Sequence, residues 1–287
     1  MDSVSPLITA QELNTLMESA SAIAVVDASW HLPNVQRNAY EEYLQQHIPG
    51  AVFFDIDAIA DTATDLPHML PSASEFTESM STLGVGSDDC VVVYDSVGLF
   101  SAARVWWMFT IFGHNNVRVL DGGLPAWKAL GYPMQSEHAN PKQPTKPFHA
   151  VLDNSAVCDW QAVLNAIDTN SACILDARPK ARFDAAVPEP RQGLRSGHMP
   201  TATSLPFTEL LQADQQGVMR LKPVEELTSI LKAKGVADGS DVITTCGSGV
   251  TAAVITLALN AAGFNAGRLY DGSWTEWGGL AHTPVVS

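Results

Sequence analysis

Short apolar or β-branched runs alternate along this chain with longer segments whose apolar residues recur every three or four positions. The runs at residues 23–27, 91–94, 174–177 and 242–245 are typical of strands buried on both faces of a sheet. The longer segments between them have the spacing of helices. This alternation predicts an α/β fold in which a mostly parallel central sheet is flanked by helices.

Several helix ends carry local signals. Thr9 and Glu12 form a candidate capping box at the start of the first helix. A later helix is expected to end near Gly84, and a helix in the second half is expected to run from Pro223 to Gly235. Proline is common where a helix starts and glycine where one stops, so these boundaries agree with the periodicity.

The order of these signals occurs twice. Four landmarks of the first half have a counterpart in the second half, at separations of 149, 151, 151 and 150 residues. The pairs are Asp27 with Asp176, His47 with His198, Gly84 with Gly235, and Trp127 with Trp277. A nearly constant separation across independent landmarks indicates an internal duplication.

The duplication predicts two tandem domains, at residues 1–135 and 151–287. Residues 136–150 lie between them and contain Pro141, Pro144 and Pro147 among polar residues. This composition favours an extended linker.

Composition narrows the classes of function. Asp and Glu outnumber Lys and Arg by 31 to 16, a formal charge of -15, and no basic cluster interrupts that balance. A nucleic-acid partner is therefore not expected. Residues 1–6 have neither a basic start nor a long apolar run, and the four cysteines lack disulfide-framework or metal-ligand spacing. We expect a cytoplasmic protein with no membrane segment and no metal.

Residues 242–253 contain the strongest chemical signal. A strand-like run ends at Cys246, and Gly247 and Gly249 then turn the chain into an apolar segment. Glycines let main-chain N–H groups converge on the sulfur, and the following helix start favours an anion, so a thiolate is expected at Cys246. A buried structural cysteine is the alternative. The first copy has Asp95 at the matching position, which indicates one active domain and one domain that lost its thiol.

Together these features resemble the two-domain rhodanese family. The loop Cys246-Gly247-Ser248-Gly249-Val250-Thr251 is similar to that of its 3-mercaptopyruvate sulfurtransferase branch, and residues 47–51 and 53–57 add to the resemblance. The resemblance implies two rhodanese-like domains, of which the second is catalytic, and no organic cofactor or metal. It also implies that Cys246 takes sulfur from 3-mercaptopyruvate as a persulfide, releases pyruvate, and passes the sulfur to a thiol such as thioredoxin or to cyanide.

The resemblance also assigns substrate-binding residues. Arg182 and Arg191 match the positions that hold the substrate carboxylate in the family, for which an arginine fork is well suited. Loop residues Gly247, Gly249, Val250 and Thr251 would line the same site. Arg178 and Arg195 lie near in sequence with weaker support.

A second set of residues would act on the pyruvate enolate, by moving a proton and by stabilising the negative charge that develops on its oxygen. By resemblance, Ser248, His68 and Asp57 match a serine-protease-like relay that would stabilise the enolate oxygen and move a proton. Because Asp57 and His68 precede residue 135, the site is expected between the two copies. His68 packing within its own loop is the alternative.

Other conspicuous residues have structural interpretations. His47 and His198 occupy repeated positions in both copies, including the copy without a thiol, so a structural role is expected. The tryptophans are expected to lie in the core or at a domain interface. They are Trp106, Trp107, Trp127, Trp274 and Trp277.

Three other activities remain open. The closest is thiosulfate sulfurtransferase, although neutral Gly247 and Ser248 follow the cysteine where the thiosulfate branch carries cations. A cysteine phosphatase would need an arginine closing the loop, where this chain has Thr251 and Ala252. A non-catalytic persulfide carrier would keep Cys246 but would not release pyruvate repeatedly.

Overall fold

The structure is a computed structural model that describes residues 5–19, 22–139 and 141–287. Residues 1–4, which carry most of the N-terminal segment used for the targeting expectation, lie outside the described residues. So does Asn140 of the expected linker.

Strands and helices alternate in both halves, as the periodicity predicts. The first half contains β1 (Leu7–Ile8), α1 (Ala10–Ser19), β2 (Ile23–Asp27), α2 (Ala39–Gln45), β3 (Val52–Phe53), α3 (Ala73–Thr82), β4 (Cys90–Tyr94), α4 (Ala102–Ile111), β5 (Val117–Leu120) and α5 (Gly123–Ala129). The second contains β6 (Val157–Cys158), α6 (Trp160–Thr169), β7 (Cys173–Asp176), α7 (Lys180–Phe183), β8 (Thr203–Ser204), β9 (Leu211–Ala213), β10 (Met219–Leu221), α8 (Val224–Ala233), β11 (Val242–Thr245), α9 (Ala252–Ala261), β12 (Arg268–Tyr270) and α10 (Ser273–Trp277).

The expected helix boundaries are present. Thr9 and Glu12 form the capping box of α1, in which the Glu12 carboxylate accepts the Thr9 N–H at 2.8 Å and the Thr9 hydroxyl accepts the Glu12 N–H at 3.2 Å. Gly84 and Gly235 follow α3 and α8 with φ of +71° and +96°. These left-handed angles explain why glycine stands at both helix ends.

Two five-stranded sheets have the same strand order. The first runs β1-β5-β4-β2-β3 and the second β6-β12-β11-β7-β8, and all pairings within both are parallel. Each strand of the first sheet thus has a counterpart in the second. The α/β fold class and the duplication are confirmed, and β9 and β10 form an additional two-stranded sheet.

Contacts divide the chain into two compact units that are not simply the two sequence halves. The first unit comprises residues 1–60, 71–152 and 213–221, and the second comprises residues 61–70, 153–212 and 222–287. Residues 61–70, which include His68, therefore belong to the unit that carries Cys246. The sequence expectation placed His68 with the first domain, and local patterns gave no sign of this exchange.

A buried tryptophan makes the same hydrogen bond in both units. The indole N–H groups of Trp127 and Trp277 donate to the carbonyls of Pro133 and Pro284, each at 2.8 Å, and both side chains are buried. The remaining tryptophans named above are also buried. These side chains are core residues of their units.

The paired histidines are structural, as expected. His47 Nδ1 lies 2.7 Å from the Tyr43 carbonyl and its ring stacks on Tyr43, while His198 Nδ1 lies 2.9 Å from the Phe183 carbonyl and stacks on Phe183. Burial lowers the pKa of His47, which favours its neutral form.

The described part of residues 136–150 contains no helix or multi-residue strand. It packs within the first unit, where Pro147 pairs with Gly86 and a Cβ on Gly84 would lie 2.3 Å from the Lys142 carbonyl oxygen. Gly84 therefore has a second reason to lack a side chain.

Within the described ranges, no helix is long and apolar enough to span a bilayer. The same residues contain no group of three or more His, Cys, Asp or Glu side chains arranged to hold a metal ion.

Candidate active site

Cys246 lies directly after β11, at the carboxyl end of a central strand of the second sheet. Ligand sites of parallel α/β sheets form at this edge because the loops to the helices converge there. The loop ends where α9 begins at Ala252, so the positive end of that helix dipole adjoins the loop. The placement is the one expected for an anionic sulfur.

The two loop glycines have different physical roles. Gly249 has φ of +79°, which a residue with a side chain adopts only at a cost. Gly247 does not adopt such an angle. A Cβ on Gly247 would instead lie 3.2 Å from Arg182 Nη2, so this glycine leaves room for a guanidinium beside the loop.

The segment that begins α10 holds the loop from the other side. The Trp274 N–H donates to the Cys246 carbonyl at 3.0 Å, and the Thr275 N–H and hydroxyl donate to the Gly247 carbonyl at 2.9 and 2.6 Å. The Cys246 N–H donates to Ser273 Oγ at 3.3 Å. Four hydrogen bonds therefore fix the backbone at the nucleophile candidate.

Cys246 is recessed. Only 2 % of the residue is exposed. Of the neighbouring loop residues, Ser248 and Val250 are buried, and Gly247 and Thr251 are partly exposed. The orientation of the loop amides toward the sulfur stays a prediction.

The matching loop of the first unit holds an anion with its amides. Asp95 is 1 % exposed, and its carboxylate accepts N–H bonds from Val97 and Gly98 at 3.0 Å, Phe100 at 2.7 Å and Ala102 at 3.0 Å. Four converging amides form a nest for negative charge. The duplicated backbone is thus one that surrounds a side-chain anion at this position.

His68 and Ser248 are brought together, although 180 residues separate them in sequence. His68 Nδ1 lies 3.0 Å from Ser248 Oγ and 3.2 Å from the Ser248 carbonyl oxygen, and both residues are buried. The His68 loop is also held by Asp271, whose carboxylate accepts the Leu70 N–H at 2.8 Å. His68 adopts φ of +63°, an uncommon angle for a non-glycine residue that is often found at functional sites.

Asp57 lies in the first unit and is exposed, and its Oδ2 accepts the Trp30 indole N–H at 3.0 Å. The expected contact between the His68 imidazole and the Ser248 hydroxyl is present. The extension of the relay to Asp57 stays a prediction.

Arg182 belongs to a buried chain of charges. Glu189 accepts hydrogen bonds from Arg182 Nε at 3.1 Å and from Arg178 Nη1 at 2.8 Å. Arg178 is 1 % exposed, binds both oxygens of Asp176, and lies over the Trp274 ring at 4.0 Å. Arg178 is therefore a structural ion-pair residue, and Arg182 is the member of the chain that reaches the loop.

The two other candidate arginines differ. Arg195 donates to main-chain carbonyls of Trp277, Gly278, Leu280 and Thr283, which makes it a brace for the end of the chain. Arg191 is partly exposed, and its role in binding substrate stays a prediction.

Sequence reasoning missed Ser273 and Glu189 as site residues. Ser273 has φ of +49°, and Gly123, its counterpart in the first unit, has φ of +53°. The replacement of a glycine by serine between the two copies was visible in the sequence. No local pattern indicated the pairing of Glu189, because its two arginine partners lie 7 and 11 residues away in sequence.

Comparison with known proteins decides the family. A family model described as "Rhodanese-like domain" matches residues 9–130 and again 159–280. The chain belongs to the rhodanese family. Its similar rhodanese relatives include "3-mercaptopyruvate sulfurtransferase" of Escherichia coli strain K12, with 45% identity over 92% of each chain. "Thiosulfate/3-mercaptopyruvate sulfurtransferase 2" of Arabidopsis thaliana is 41% identical over 98% of this chain and 86% of the relative.

A solved rhodanese-fold structure agrees with both. The crystal structure of SseA from Escherichia coli, whose description names 3-mercaptopyruvate sulfotransferases, superposes with a TM-score of 0.83 and 40% identity, covering 94% of this chain and 99% of that chain. The predicted rhodanese resemblance is confirmed.

Proposed function

We propose that the chain is a 3-mercaptopyruvate sulfurtransferase that carries sulfur on Cys246. The observation that supports this most directly is the Cys246 loop, with Arg182 beside Gly247 and His68 at Ser248. The similarity to sulfurtransferases of that name over most of the chain supports the same reaction. The catalytic domain would be residues 151–287, joined by residues 136–150 to a first domain, residues 1–135, that lacks the thiol.

The reaction follows from the residues in order. The Cys246 thiolate attacks the sulfur of 3-mercaptopyruvate, a new S–S bond forms, and the C–S bond breaks. The electron pair of that bond goes to the carbon fragment as the enolate of pyruvate, which takes up a proton and leaves. An acceptor thiolate or cyanide then attacks the outer sulfur of the persulfide and restores the Cys246 thiolate.

The surrounding groups have separate tasks. Arg182 would bind the substrate carboxylate, since a guanidinium matches a carboxylate in shape and charge. The Ser248 hydroxyl, with His68 at 3.0 Å, would donate a hydrogen bond to the enolate oxygen as charge develops there. Loop residues Gly247, Gly249, Val250 and Thr251 would complete the substrate contacts together with Arg191.

Thiosulfate is the second donor to consider, because a similar relative from Arabidopsis is named for both donors. Thiosulfate is a dianion, and the two residues after Cys246 are neutral. We therefore expect a higher kcat/KM with 3-mercaptopyruvate. Parallel assays with the two donors and cyanide as acceptor test this, and a higher kcat/KM with thiosulfate would reassign the donor.

Cys246→Ser tests the central step. We expect pyruvate release to fall by about three orders of magnitude or more, as when a covalent nucleophile is removed, with an unchanged circular dichroism spectrum. Intact mass after 3-mercaptopyruvate treatment should show one added sulfur atom in the wild type and none in the variant. A matched Cys158→Ser variant, at a buried cysteine outside the loop, controls for general thiol loss. Repeated pyruvate release by Cys246→Ser would refute the proposal, and a single sulfur transfer without turnover would identify a carrier.

Acceptor and compartment are part of the proposal. A persulfide transfers its sulfur to a low-molecular-weight or protein thiol, so thioredoxin or another dithiol is expected in a cell and cyanide in an assay. The four cysteines are free thiols, which suits a reducing cytoplasm. Cell fractionation tests the location.

A further inference from the structure

The first unit contains a polar cavity that the proposed reaction does not use. Its volume is about 420 Å³, and it lies at the carboxyl edge of the first sheet. The residues that matter for its chemistry are Asp27, Ser29, Arg37, Glu42, Leu124 and Lys128. Asp27 is 2 % exposed, so the cavity contains a carboxylate that is almost wholly removed from bulk water.

The duplication allows the cavity to be compared with the matching place in the second unit. In the second unit, the residue two positions after the matching Asp176 is Arg178, whose guanidinium binds both Asp176 oxygens. In the first unit the residue two positions after Asp27 is Ser29. The first unit therefore has no guanidinium at the matching position, and Ser29 lines the cavity instead.

Besides its pairing with Asp176 and Glu189, Arg178 makes two contacts whose counterparts lie in the cavity wall. Arg178 Nη2 donates to the Gly197 carbonyl at 2.9 Å and its guanidinium lies over Trp274. By the offsets of the repeat, these residues correspond to Gln46 and Leu124, and both line the cavity.

The acidic group is held in the same local geometry in both units. The Ser29 N–H donates to Asp27 Oδ1 at 2.9 Å, as the Arg178 N–H donates to Asp176 Oδ1 at 2.9 Å. The carboxylate of the first unit is therefore oriented as if to receive a guanidinium, and no cationic side chain among the described residues pairs with it.

Two of the other three charged residues of the wall pair with each other. Arg37 Nε and Nη2 each lie 2.7 Å from a Glu42 carboxylate oxygen, so that pair is neutral as a whole. Lys128 is exposed. Asp27 is thus the buried charge among the lining residues, and its carboxylate accepts hydrogen bonds from Ser29 and Tyr94 rather than from a cation.

We propose that this cavity is a binding site for a guanidinium group, which would occupy the place that Arg178 fills in the second unit. The group could belong to a small guanidino compound or to an arginine side chain of a partner. Either would form paired N–H bonds to the Asp27 carboxylate, the arrangement that makes arginine–carboxylate pairs strong.

Calorimetric titration of the full-length protein with methylguanidinium chloride at constant ionic strength tests the proposal. We expect saturable binding to one site per chain, and no binding of urea, which has a similar shape but no charge. Asp27→Asn should abolish binding. Glu78→Gln, which removes an exposed carboxylate on α3 outside the cavity, should leave it unchanged.

A second variant places an arginine side chain of the protein itself in the cavity. Ser29→Arg should supply the missing guanidinium, abolish methylguanidinium binding and raise the Tm. If that variant fails to fold, the comparison of Asp27→Asn with Glu78→Gln decides alone. Equal binding by wild type and Asp27→Asn, or no binding by wild type, would overturn the proposal.

A blocked Gly-Arg-Gly peptide distinguishes the two sources. Binding of both peptide and methylguanidinium supports a partner's arginine, and binding of methylguanidinium alone supports a small guanidino ligand.

The same site predicts a pH dependence. Burial raises the pKa of Asp27 to about 6, so affinity for the cation should decrease as pH falls through 6. The other ionisable groups around it are Arg37, Glu42, Tyr43, Tyr94, Asp95 and Lys128. Affinity that increases on acidification would contradict recognition by the carboxylate.

Discussion

Asp95 and Cys246 occupy the same position in the two copies, directly after the fourth strand of each parallel sheet. Four main-chain amides converge on the Asp95 carboxylate. A carboxylate carries negative charge in its ordinary ionised form, whereas a cysteine carries it only as the thiolate. The thiolate, unlike the carboxylate, can accept a transferred sulfur. Under the proposed function, the cysteine at this position gives the loop of the second copy the nucleophile that the first copy lacks.

The His68–Ser248 contact supports a proton-transfer role that can be measured. His68→Asn removes the imidazole, and Asn tolerates the left-handed φ of +63° at this position. We expect kcat to fall by about 100-fold, the usual contribution of a general acid or base, and its pH profile to change shape.

The matched control for His68→Asn is His149→Asn, at an exposed histidine, which should leave kcat unchanged. Turnover of His68→Asn equal to that of the wild type across pH would remove His68 from the mechanism.

Arg182 should determine substrate affinity. It lies beside Gly247 and shares Glu189 with Arg178. Arg182→Lys keeps the charge but loses the planar fork, so KM for 3-mercaptopyruvate should increase about tenfold, with the Tm nearly constant. Arg191→Lys is measured beside it, and an unchanged KM in both variants would mean that other groups bind the carboxylate.

At the scale of elements, the junction of β12 and α10 holds the Cys246 loop in position. Gly123 in the first unit and Ser273 in the second both adopt left-handed angles. A Cβ on Gly123 would lie 2.3 Å from the Asp95 carbonyl oxygen, so the first unit excludes a side chain there. The second unit accommodates one, and its hydroxyl donates to the Tyr270 carbonyl and accepts the Cys246 N–H.

Ser273→Gly should therefore separate stability from activity. Glycine relieves the left-handed angle, which costs a non-glycine residue roughly 1 kcal/mol, but the hydrogen bond at Cys246 is lost. We expect kcat to fall several-fold while the Tm stays the same or rises.

Ser273→Ala is the comparison for Ser273→Gly, because it removes the hydroxyl and keeps the strained angle. It should lose the same activity and have the lower Tm of the two. Full activity in both variants would show that the hydroxyl does not position Cys246.

At the scale of the whole molecule, the duplication places one carboxylate in two different electrostatic environments. Asp27 is buried without a cationic partner, and burial raises its pKa to about 6. Asp176 is buried against Arg178. Removing the two charges should therefore have opposite effects on stability.

Asp27→Asn should stabilise the protein near pH 7.5. Between pH 4 and 6 the folded protein binds a proton at Asp27 that the unfolded chain does not, so stability from this group falls as pH rises through that window. A pKa raised from 3.8 to about 6 corresponds to a gain of about 3 kcal/mol for Asn at pH 7.5. The gain should disappear below pH 4.

Asp176→Asn should instead destabilise the protein by about 3–5 kcal/mol, because Arg178 would be left buried beside a neutral group. Urea unfolding of both variants and the wild type at pH 7.5 and 5 measures the two effects. Changes of the same sign at pH 7.5, or an effect of Asp27→Asn that does not vary with pH, would contradict this account.

The sequence by itself determined the strand and helix order, the duplication and the loop at Cys246. These features depend on local periodicity, on glycine and proline at boundaries, and on the repetition of both at a nearly constant separation. Residues 23–27 show this, since the apolar run and β2 (Ile23–Asp27) coincide.

Only the tertiary structure decided which groups meet. The packing of residues 61–70 with the second unit brings His68 to Ser248, and Ser29 and Asp27 line a cavity in the first unit. The sequence also did not predict the burial of Cys246 or the hydrogen bond from its N–H to Ser273 Oγ. Such contacts depend on where distant parts of the chain return and on the volume that neighbouring side chains leave, and neither quantity is encoded in a local pattern.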